Sequence, residues 1–384
     1  MKKVLILQIK NHTNGGIRFV NKLITDELTR LGYEARICSI RDIPNESVSE
    51  PNPKVQLDII NKNDAWEIVH KSDVIRSLKS GKFFKTLKQY FTDAKRLKED
   101  YRKLENYIRE YNPDIIISSH YEIFPGIPKE YLSRTINLHH TSYDMMKTFK
   151  NNKKELLKIK DKINFVWLSK GSCESAKKDG FENSISIYNP IRFKTNKKAN
   201  VNKNKRLVTI ARLGEEKRIE LMIDIANDVF KNKEFKDWKL DIYGYGGTEN
   251  KVIDHIKKTN NPQITFKGKT DNPMEELLSS SIYLCTSKFE GFSLSIIEAY
   301  ECGIPVIAFN FGESVYEAVN NKVTGYIIEN DDVEEYKEKL KLMMSDKKLL
   351  EELSNNSKEK AKEFQIENLI KNWIKLFKKI DKEK

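Results

Sequence analysis

The sequence predicts an α/β protein with two doubly wound parallel-sheet domains that face each other across a cleft. At 384 residues the chain is too long for one ordinary core and suits two domains. Strand-like and helix-like segments alternate through the first half, which is typical of a parallel sheet covered on both faces. The alternation pauses at Asn189-Pro190-Ile191 and the polar stretch 194–206, and then restarts. We therefore expect one domain over residues 1–190 and another over residues 191–364.

The first half begins with a predicted buried strand at residues 4–8. This apolar run is too short for a secretory signal, and polar Lys10-Asn11-His12 follows without a small-residue cleavage site. A helix is expected over residues 17–31, where Gly32 forms the C-terminal cap. Further buried strands are predicted at residues 33–38, 114–118, 135–138, 165–168 and 185–188.

The second half repeats the pattern from a predicted strand at residues 207–211. The following helix, 219–230, places Ile219, Met222, Ala226 and Val229 on one face. Further strands are predicted at residues 240–243, 264–266, 282–286, 306–309 and 326–328. The last helix has an apolar stripe that needs a partner surface, formed by Ile366, Leu369, Ile370, Trp373, Phe377 and Ile380.

Charge is distributed unevenly along the chain. Residues 1–200 hold 38 Lys and Arg against 24 Asp and Glu, whereas residues 201–384 hold 31 against 32. The basic half predicts an anionic partner, whether membrane, nucleic acid or acidic polymer, unless its lysines form a solvated face. No run approaches the roughly 18 apolar residues of a membrane span. The four cysteines are scattered, which predicts neither zinc nor disulfides and fits a reducing cytosol.

Residues 74–91 form a basic segment without an acidic residue. Its cations are Arg76, Lys79, Lys82, Lys85 and Lys88. Its apolar residues fall near one helical face, namely Val74, Leu78, Phe84, Leu87 and Phe91. A basic amphipathic helix of this kind can lie in a bilayer interface. The alternative is a helix that packs on the core and leaves its lysines in solvent.

Glu290 and Glu298 flank a glycine turn that leads into a predicted helix, Gly291-Phe292-Ser293-Leu294. A glycine lets backbone approach a ligand closely, and a helix start offers free N–H groups to an anion. A carboxylate on either side can accept hydrogen bonds from hydroxyls. A phosphate between two hydroxyl-binding acids indicates a nucleotide-sugar. The alternative is a pair of surface acids beside an ordinary turn.

Arg212 and Lys217 are the candidate phosphate ligands. Arg212 ends the strand 207–211, and Lys217 follows at the expected start of a helix. Cations at a helix N-terminus oppose the helix dipole, and a bound diphosphate would remove that conflict. The alternative is ordinary ion pairing with Glu215 or Glu216.

Three further strand ends carry candidate residues. Gly244 and Gly246 follow one strand, Gly16 follows the first, and His139 and His140 follow the strand 135–138. Each glycine could admit a phosphate or merely form a turn. The sequence contains no H-E-x-x-H, Walker lysine loop, G-x-S-x-G elbow or Asp-x-Asp pair. We therefore expect no metal and no cofactor beyond the donor substrate.

Together these residues resemble the retaining GT-B glycosyltransferases, most closely the "glycosyltransferases group 1" family. The stretch 290–299, continuing to 303–307, is similar to the family signature E-G-F-x-L-x-x-x-E-A…G-x-P-V-I. Residues 211–217 resemble its R-L-x-x-x-K element. Weaker landmarks occur in the right order at Ser169-Lys170, Asn189-Pro190-Ile191, Gly244-x-Gly246 and Phe266-x-Gly268. The N-terminal half matches only at Gly16, His140 and the overall pattern. The resemblance implies a GT-B fold in which the last helix, 365–384, returns to the first domain.

The resemblance also implies roles for the site residues. Arg212 and Lys217 would hold the donor diphosphate, Glu298 the ribose hydroxyls and Glu290 a hydroxyl of the transferred sugar. His140, rather than His139, would face that sugar. The implied donor-binding set is Gly16, Gly244, Gly291, Phe292, Ser293, Leu294 and Glu298.

One residue departs from the family pattern beside this site. Arg218 stands where a glycine is common after the lysine. A larger, charged side chain at this position is expected to crowd or recharge the diphosphate site.

The expected activity is that of a metal-independent hexosyltransferase in the cytoplasm, peripheral on the inner face of the membrane. It would move a hexose or N-acetylhexosamine from a nucleotide-sugar, with UDP the family's common nucleotide, to a glycan, lipid-linked or polymer acceptor. Nucleic acid is not an expected partner. Two alternatives stay open: a sugar-nucleotide epimerase on the same fold, and a basic membrane- or nucleic-acid-binding protein whose sugar site is vestigial.

Overall fold

Two fully parallel sheets form the framework of the protein, in a computed structural model that describes residues 1–10, 16–41, 56–62, 83–148 and 150–382. The first sheet has the order β3-β2-β1-β4-β5-β6-β7, and the second has the order β10-β9-β8-β11-β12-β13. The strands of the first sheet are β1 Lys3–Lys10, β2 Glu34–Arg41, β3 Gln56–Asn61, β4 Ile115–Ser118, β5 Thr135–His139, β6 Asn164–Trp167 and β7 Ser184–Ser186. The strands of the second are β8 Arg206–Arg212, β9 Lys239–Tyr245, β10 Ile264–Gly268, β11 Ile282–Cys285, β12 Val306–Phe309 and β13 Gly325–Ile328.

Most of the described helices lie in the crossovers that parallel neighbours require, and the last three follow β13. Those that precede β8 are Gly16–Arg30, Phe83–Tyr111, Tyr143–Thr148, Lys150–Leu157, Lys170–Lys178 and Val201–Asn204. Those that follow it are Ile219–Phe230, Glu249–Thr259, Pro273–Leu278, Leu294–Glu301, Val315–Ala318, Val333–Ser345, Lys347–Lys360 and Ile366–Lys382. The predicted fold class, two doubly wound α/β domains, is confirmed.

Each sheet reverses its strand order next to its first strand. β1 lies between β2 and β4, and β8 lies between β9 and β11. Ligands of open α/β sheets bind beyond the carboxyl ends of the strands at such a reversal. The chain leaves β8 at Arg212 and runs from β11 to Glu290, and in the first sheet it leaves β4 toward His120. The topology therefore brings distant parts of the sequence to two switch points.

The last helix returns to the first domain. Its buried face is formed by Leu369, Ile370, Trp373, Leu376, Phe377 and Ile380. The ring of Phe377 meets that of Tyr33 edge to face at 6.0 Å, and Asp381 forms an ion pair with Lys2. The partner surface that the apolar stripe needs is thus supplied by the helix Gly16–Arg30 and by the short helical turn Lys129–Arg134.

Strand β3 is the element that the sequence did not predict. It pairs with β2 alone, at the edge of the first sheet, and its residues are half-buried apart from the exposed Gln56 and the buried Asn61. An edge strand has one neighbour and one solvated side, so its sequence lacks the continuous apolar run by which the central strands were recognised.

The basic segment 74–91 falls partly outside the described residues, because the description resumes at Phe83. Residues 83–91 form the start of the 29-residue helix Phe83–Tyr111. Phe84 is 83% exposed and Phe91 is 63% exposed, and Lys85 and Lys88 are exposed as well. These two phenylalanines therefore do not pack on the core. Across the described ranges, none of the helices has the length and apolar character that a bilayer crossing needs.

Candidate active site

Lys217 and Glu290 form an ion pair at the switch point of the second sheet. Lys217 lies in the turn after β8, and Glu290 in the loop after β11, where Ser287 also donates a hydrogen bond of 2.8 Å to its carboxylate. Both side chains are mostly buried, at 15% and 14% exposure. Burial acts to lower the pKa of Lys217, but the charge and hydrogen bond of Glu290 outweigh it and leave that pKa above its usual value. The lysine is therefore a fixed cation.

A small cavity joins this pair to the start of the helix Leu294–Glu301. Lys217, Glu290, Ser293 and Ser295 contribute to its lining. Ser293 is the N-cap residue, and it makes no side-chain capping bond to the helix. The first N–H groups of this helix therefore receive no hydroxyl from Ser293, and an anion in the cavity would meet both them and the Lys217 ammonium.

Arg212 is placed differently from Lys217. Its side chain is 66% exposed and pairs with Glu216, one of the two acids that the sequence offered as an alternative partner. An exposed ion pair of this kind contributes little to stability. Its guanidinium can therefore leave Glu216 for a diphosphate at small cost.

Glu298 has a partner that the sequence analysis did not identify. It is 1% exposed, and the guanidinium of Arg192 binds both of its carboxylate oxygens, with Nη2 2.6 Å from Oε2. Arg192 directly follows Asn189-Pro190-Ile191, the hinge segment between the two domains. A cation next to this hinge was the sequence signal that could have identified Arg192.

The glycine turn touches the first domain at His140. A Cβ atom on Gly291 would collide with the backbone carbonyl of His140 and lie 2.9 Å from Cα of Thr141. A Cβ atom on Gly16 would lie 2.9 Å from the side chain of Leu294. The structure thus brings together Gly16, His140, Gly291 and Leu294, which are far apart in the sequence.

His140 and His139 have different surroundings. Nε2 of His139 lies 2.9 Å from the Thr141 hydroxyl, and its ring lies against Trp167 at 4.7 Å. Nε2 of His140 is buried and has no hydrogen-bond partner among the described residues. Burial, with His120 and His139 nearby, lowers the pKa of His140 to about 3. His140 is therefore a neutral imidazole with a free polar atom, which suits a hydrogen bond to a substrate hydroxyl.

Two predicted donor residues have clear packing roles. The ring of Phe292 is 5% exposed and packs against Tyr188 at 5.3 Å and Phe364 at 5.5 Å, beside the hinge. A Cβ atom on Gly244 would collide with the Ala211 carbonyl. The Phe292 ring therefore belongs to the aromatic packing at the hinge, and Gly244 permits the ends of β8 and β9 to approach.

Arg218 does not join the Lys217–Glu290 pair. Its backbone is left-handed, with φ 51°, which explains why a glycine suits this position. Its guanidinium donates to the Thr286 carbonyl at 2.7 Å, to Asn330 at 2.6 Å and to Asp331. These bonds direct its charge to the loop after β13, so the expected recharging of the diphosphate site does not occur in this structure.

The short helix Val315–Ala318, which follows β12, contacts the first domain beside the hinge. The Glu317 carboxylate accepts hydrogen bonds from the backbone N–H groups of Lys170 and Gly171, at 2.9 and 3.0 Å, and from the Tyr188 hydroxyl at 2.7 Å. Lys170 begins a helix of the first domain, where a carboxylate is favoured by the helix dipole. This contact joins the second domain to the first.

The buried histidines give a testable pH dependence of stability. In the unfolded chain they protonate near 6.5, whereas burial lowers the pKa of His139 to about 4 and of His140 to about 3. The unfolded state then binds more protons, so the free energy of unfolding should fall as pH drops below about 6.5. Urea unfolding at several pH values should show a shallower fall in the His139→Gln/His140→Gln variant than in the wild type. Equal slopes would contradict the assignment.

Two Rossmann-like parallel sheets and a C-terminal helix that returns to the first domain are the architecture of the GT-B fold. Residues 191–360 match the family model described as glycosyl transferases group 1. This part of the chain belongs to that family of glycosyltransferases.

Known proteins agree with this assignment. The chain is 28% identical over 243 residues to the poly(ribitol-phosphate) alpha-N-acetylglucosaminyltransferase of Staphylococcus aureus, over 62% of this chain and 49% of that protein. It thus spans about half the length of that relative. It is 25% identical to an uncharacterized glycosyltransferase of Haemophilus influenzae, over 97% and 99% of the two chains. A solved structure of a variant of S. aureus TarM, in complex with fondaparinux, alpha-GlcNAc-glycerol and UDP, has a TM-score of 0.77 and 17% identity, over 98% and 100% of the chains.

Proposed function

We propose that the chain is a retaining hexosyltransferase that moves a hexose or N-acetylhexosamine from a UDP-sugar to an acceptor hydroxyl on a glycan, lipid-linked or polymer substrate. The observation that carries this proposal is the cavity where Lys217, Glu290 and the start of the helix Leu294–Glu301 converge. A diphosphate would meet a mostly buried cation there and the N-terminus of a helix that the Ser293 side chain does not cap, with a carboxylate beside them for a sugar hydroxyl.

The chemistry follows from where charge develops. When the bond from sugar C1 to the phosphate oxygen breaks, positive charge grows on the sugar ring and negative charge on the leaving diphosphate. In this proposal Lys217, Arg212 and the helix N-terminus stabilise that negative charge. The acceptor hydroxyl attacks C1 from the same face, and its proton passes to the departing phosphate oxygen. Neutral His140 hydrogen-bonds the sugar and does not need to change charge.

The acceptor is proposed to be anionic. Residues 1–200 carry an excess of 14 positive charges, from 38 Lys and Arg against 24 Asp and Glu, and such a field attracts a polyanion. The S. aureus relative is named for a poly(ribitol-phosphate) acceptor, and the TarM variant was solved with UDP. These names support a UDP donor and a phosphate-rich acceptor for this chain.

Product analysis tests the proposed function. The purified chain is incubated with UDP-GlcNAc or UDP-glucose, with and without a poly(ribitol-phosphate) acceptor, and the products are examined by NMR. We expect an α-linked product and turnover that persists in EDTA, because Lys217 and Arg212 supply the cations. An epimerised free nucleotide-sugar without acceptor would indicate an epimerase instead. A β-linked product would exclude retention.

We also propose that the start of the helix Phe83–Tyr111 lies on an anionic membrane surface. Exposed Phe84 and Phe91 alternate there with exposed Lys85 and Lys88, and an apolar and basic face of this kind favours an anionic bilayer interface. Cosedimentation with phosphatidylglycerol vesicles should fall when Lys85 and Lys88 are replaced by glutamine. The matched control replaces the exposed lysines 257 and 258 of the second domain. Equal binding by both variants would exclude this helix as the contact.

A further inference from the structure

Arg192 occupies the carboxylate of Glu298, which the proposed donor would need for its ribose hydroxyls. The guanidinium approaches the carboxylate as a fork, with Nε bonded to Oε1 and Nη2 2.6 Å from Oε2. Glu298 is 1% exposed, whereas the Arg192 side chain is 25% exposed. Arg192 therefore separates Glu298 from solvent.

Arg192 also contacts the first domain. Its guanidinium lies over the ring of Phe19, 5.0 Å from the ring centroid, and Phe19 belongs to the helix Gly16–Arg30. One cation therefore joins the helix after β1 to a carboxylate of the second domain. Burial acts to lower the pKa of Arg192, but the charge and hydrogen bonds of Glu298 outweigh it and leave that pKa above its usual value.

A ribose and this guanidinium need the same part of Glu298. The 2′- and 3′-hydroxyls of a ribose donate two roughly parallel hydrogen bonds to a carboxylate, as the arginine fork does. In this structure the Arg192 guanidinium binds both carboxylate oxygens of Glu298, and the Glu298 side chain is buried. The ribose can reach both oxygens only after the guanidinium has moved.

We propose that Arg192 competes with the ribose hydroxyls of the donor for Glu298, and so sets the affinity for the nucleotide. The inference rests on the proposed function, since it takes Glu298 as the ribose ligand. The free energy needed to separate Arg192 from Glu298 is subtracted from the free energy of nucleotide binding. Donor binding therefore also releases the Arg192 guanidinium, which lies over the ring of Phe19, from Glu298. Arg192 thus lowers the affinity of the site for the nucleotide.

Calorimetric titration with UDP and with 2′,3′-dideoxy-UDP tests this competition. Arg192→Ala should bind UDP about tenfold more tightly than the wild type, a typical size for coupling between two sites. The dideoxy nucleotide, which has no hydroxyls for Glu298, should bind both proteins equally. Arg192→Lys keeps a charge but loses the fork, so its UDP affinity should fall between the two.

The matched control is Lys194→Ala. Lys194 lies two residues further along the same segment and pairs with exposed Glu367, so this variant removes an equal charge without touching Glu298. Its UDP affinity should match the wild type. Thermal unfolding establishes that each variant is folded.

Two results would overturn the competition. One is unchanged or weaker UDP binding by folded Arg192→Ala and Arg192→Lys. The other is an equal gain in affinity for UDP and for the dideoxy nucleotide, which would show a general charge effect. If the wild type still transfers sugar from a UDP-sugar, these results remove the inference and leave the proposed function standing. Absence of transfer and of binding to UDP, GDP and ADP in every variant would remove both.

Discussion

Replacing Lys217 by methionine is expected to lower kcat by about 10²- to 10³-fold, the usual loss when one group that stabilises a developing negative charge is removed. Lys217 is a mostly buried cation at the switch point of the second sheet, where it pairs with Glu290. Methionine keeps the unbranched stem and its packing but supplies no charge to the leaving diphosphate. Initial rates at saturating nucleotide-sugar measure the effect, and the thermal unfolding midpoint reports any loss of structure.

Lys251→Met is the matched control for this prediction. Lys251 lies on the helix Glu249–Thr259, is 61% exposed and pairs with Glu215 of the same turn that carries Lys217. The two variants remove the same charge from neighbouring positions. Only the Lys217 variant should lose turnover. An equal loss of turnover in both variants would mean that Lys217 acts through the overall electrostatic field of the protein. Unchanged turnover in the Lys217 variant would exclude Lys217 from the diphosphate site.

The strands in the middle of each sheet could be predicted because they are buried on both faces. β12, Val306–Phe309, and the helix Ile219–Phe230 have the bounds that the sequence indicated. Each is an apolar run or stripe between polar or glycine residues, and local sequence is sufficient to mark it. Strand β3 lies at an edge, and its polar residues Gln56, Asp58 and Asn61 leave no such run.

The candidate site was predicted as a set of residues but not as a set of contacts. The sequence placed Lys217 and Glu290 at strand ends, yet they are 73 positions apart, and their ion pair follows from the order in which β8 and β11 lie in the sheet. Arg192 was missed because its role depends on Glu298, 106 positions away. The direction of the Arg218 side chain likewise depends on the loop after β13. Such contacts depend on the tertiary topology, which no local stretch of a single sequence reveals.

Gly291→Ala is expected to lower kcat/KM by about 10²-fold, because a shift of about 1 Å in a catalytic group costs that much. The added Cβ atom would meet the His140 carbonyl and Cα of Thr141, which belong to the backbone and cannot rotate away. The glycine turn and His140 must then separate, which displaces the donor site from the residue expected to face the sugar. Because the collision is between two domains rather than inside either core, the thermal unfolding midpoint should change little. Gly247→Ala is the control, since its added atom meets nothing within 4 Å, and equal kinetics of the two variants would show that turnover does not require this close approach.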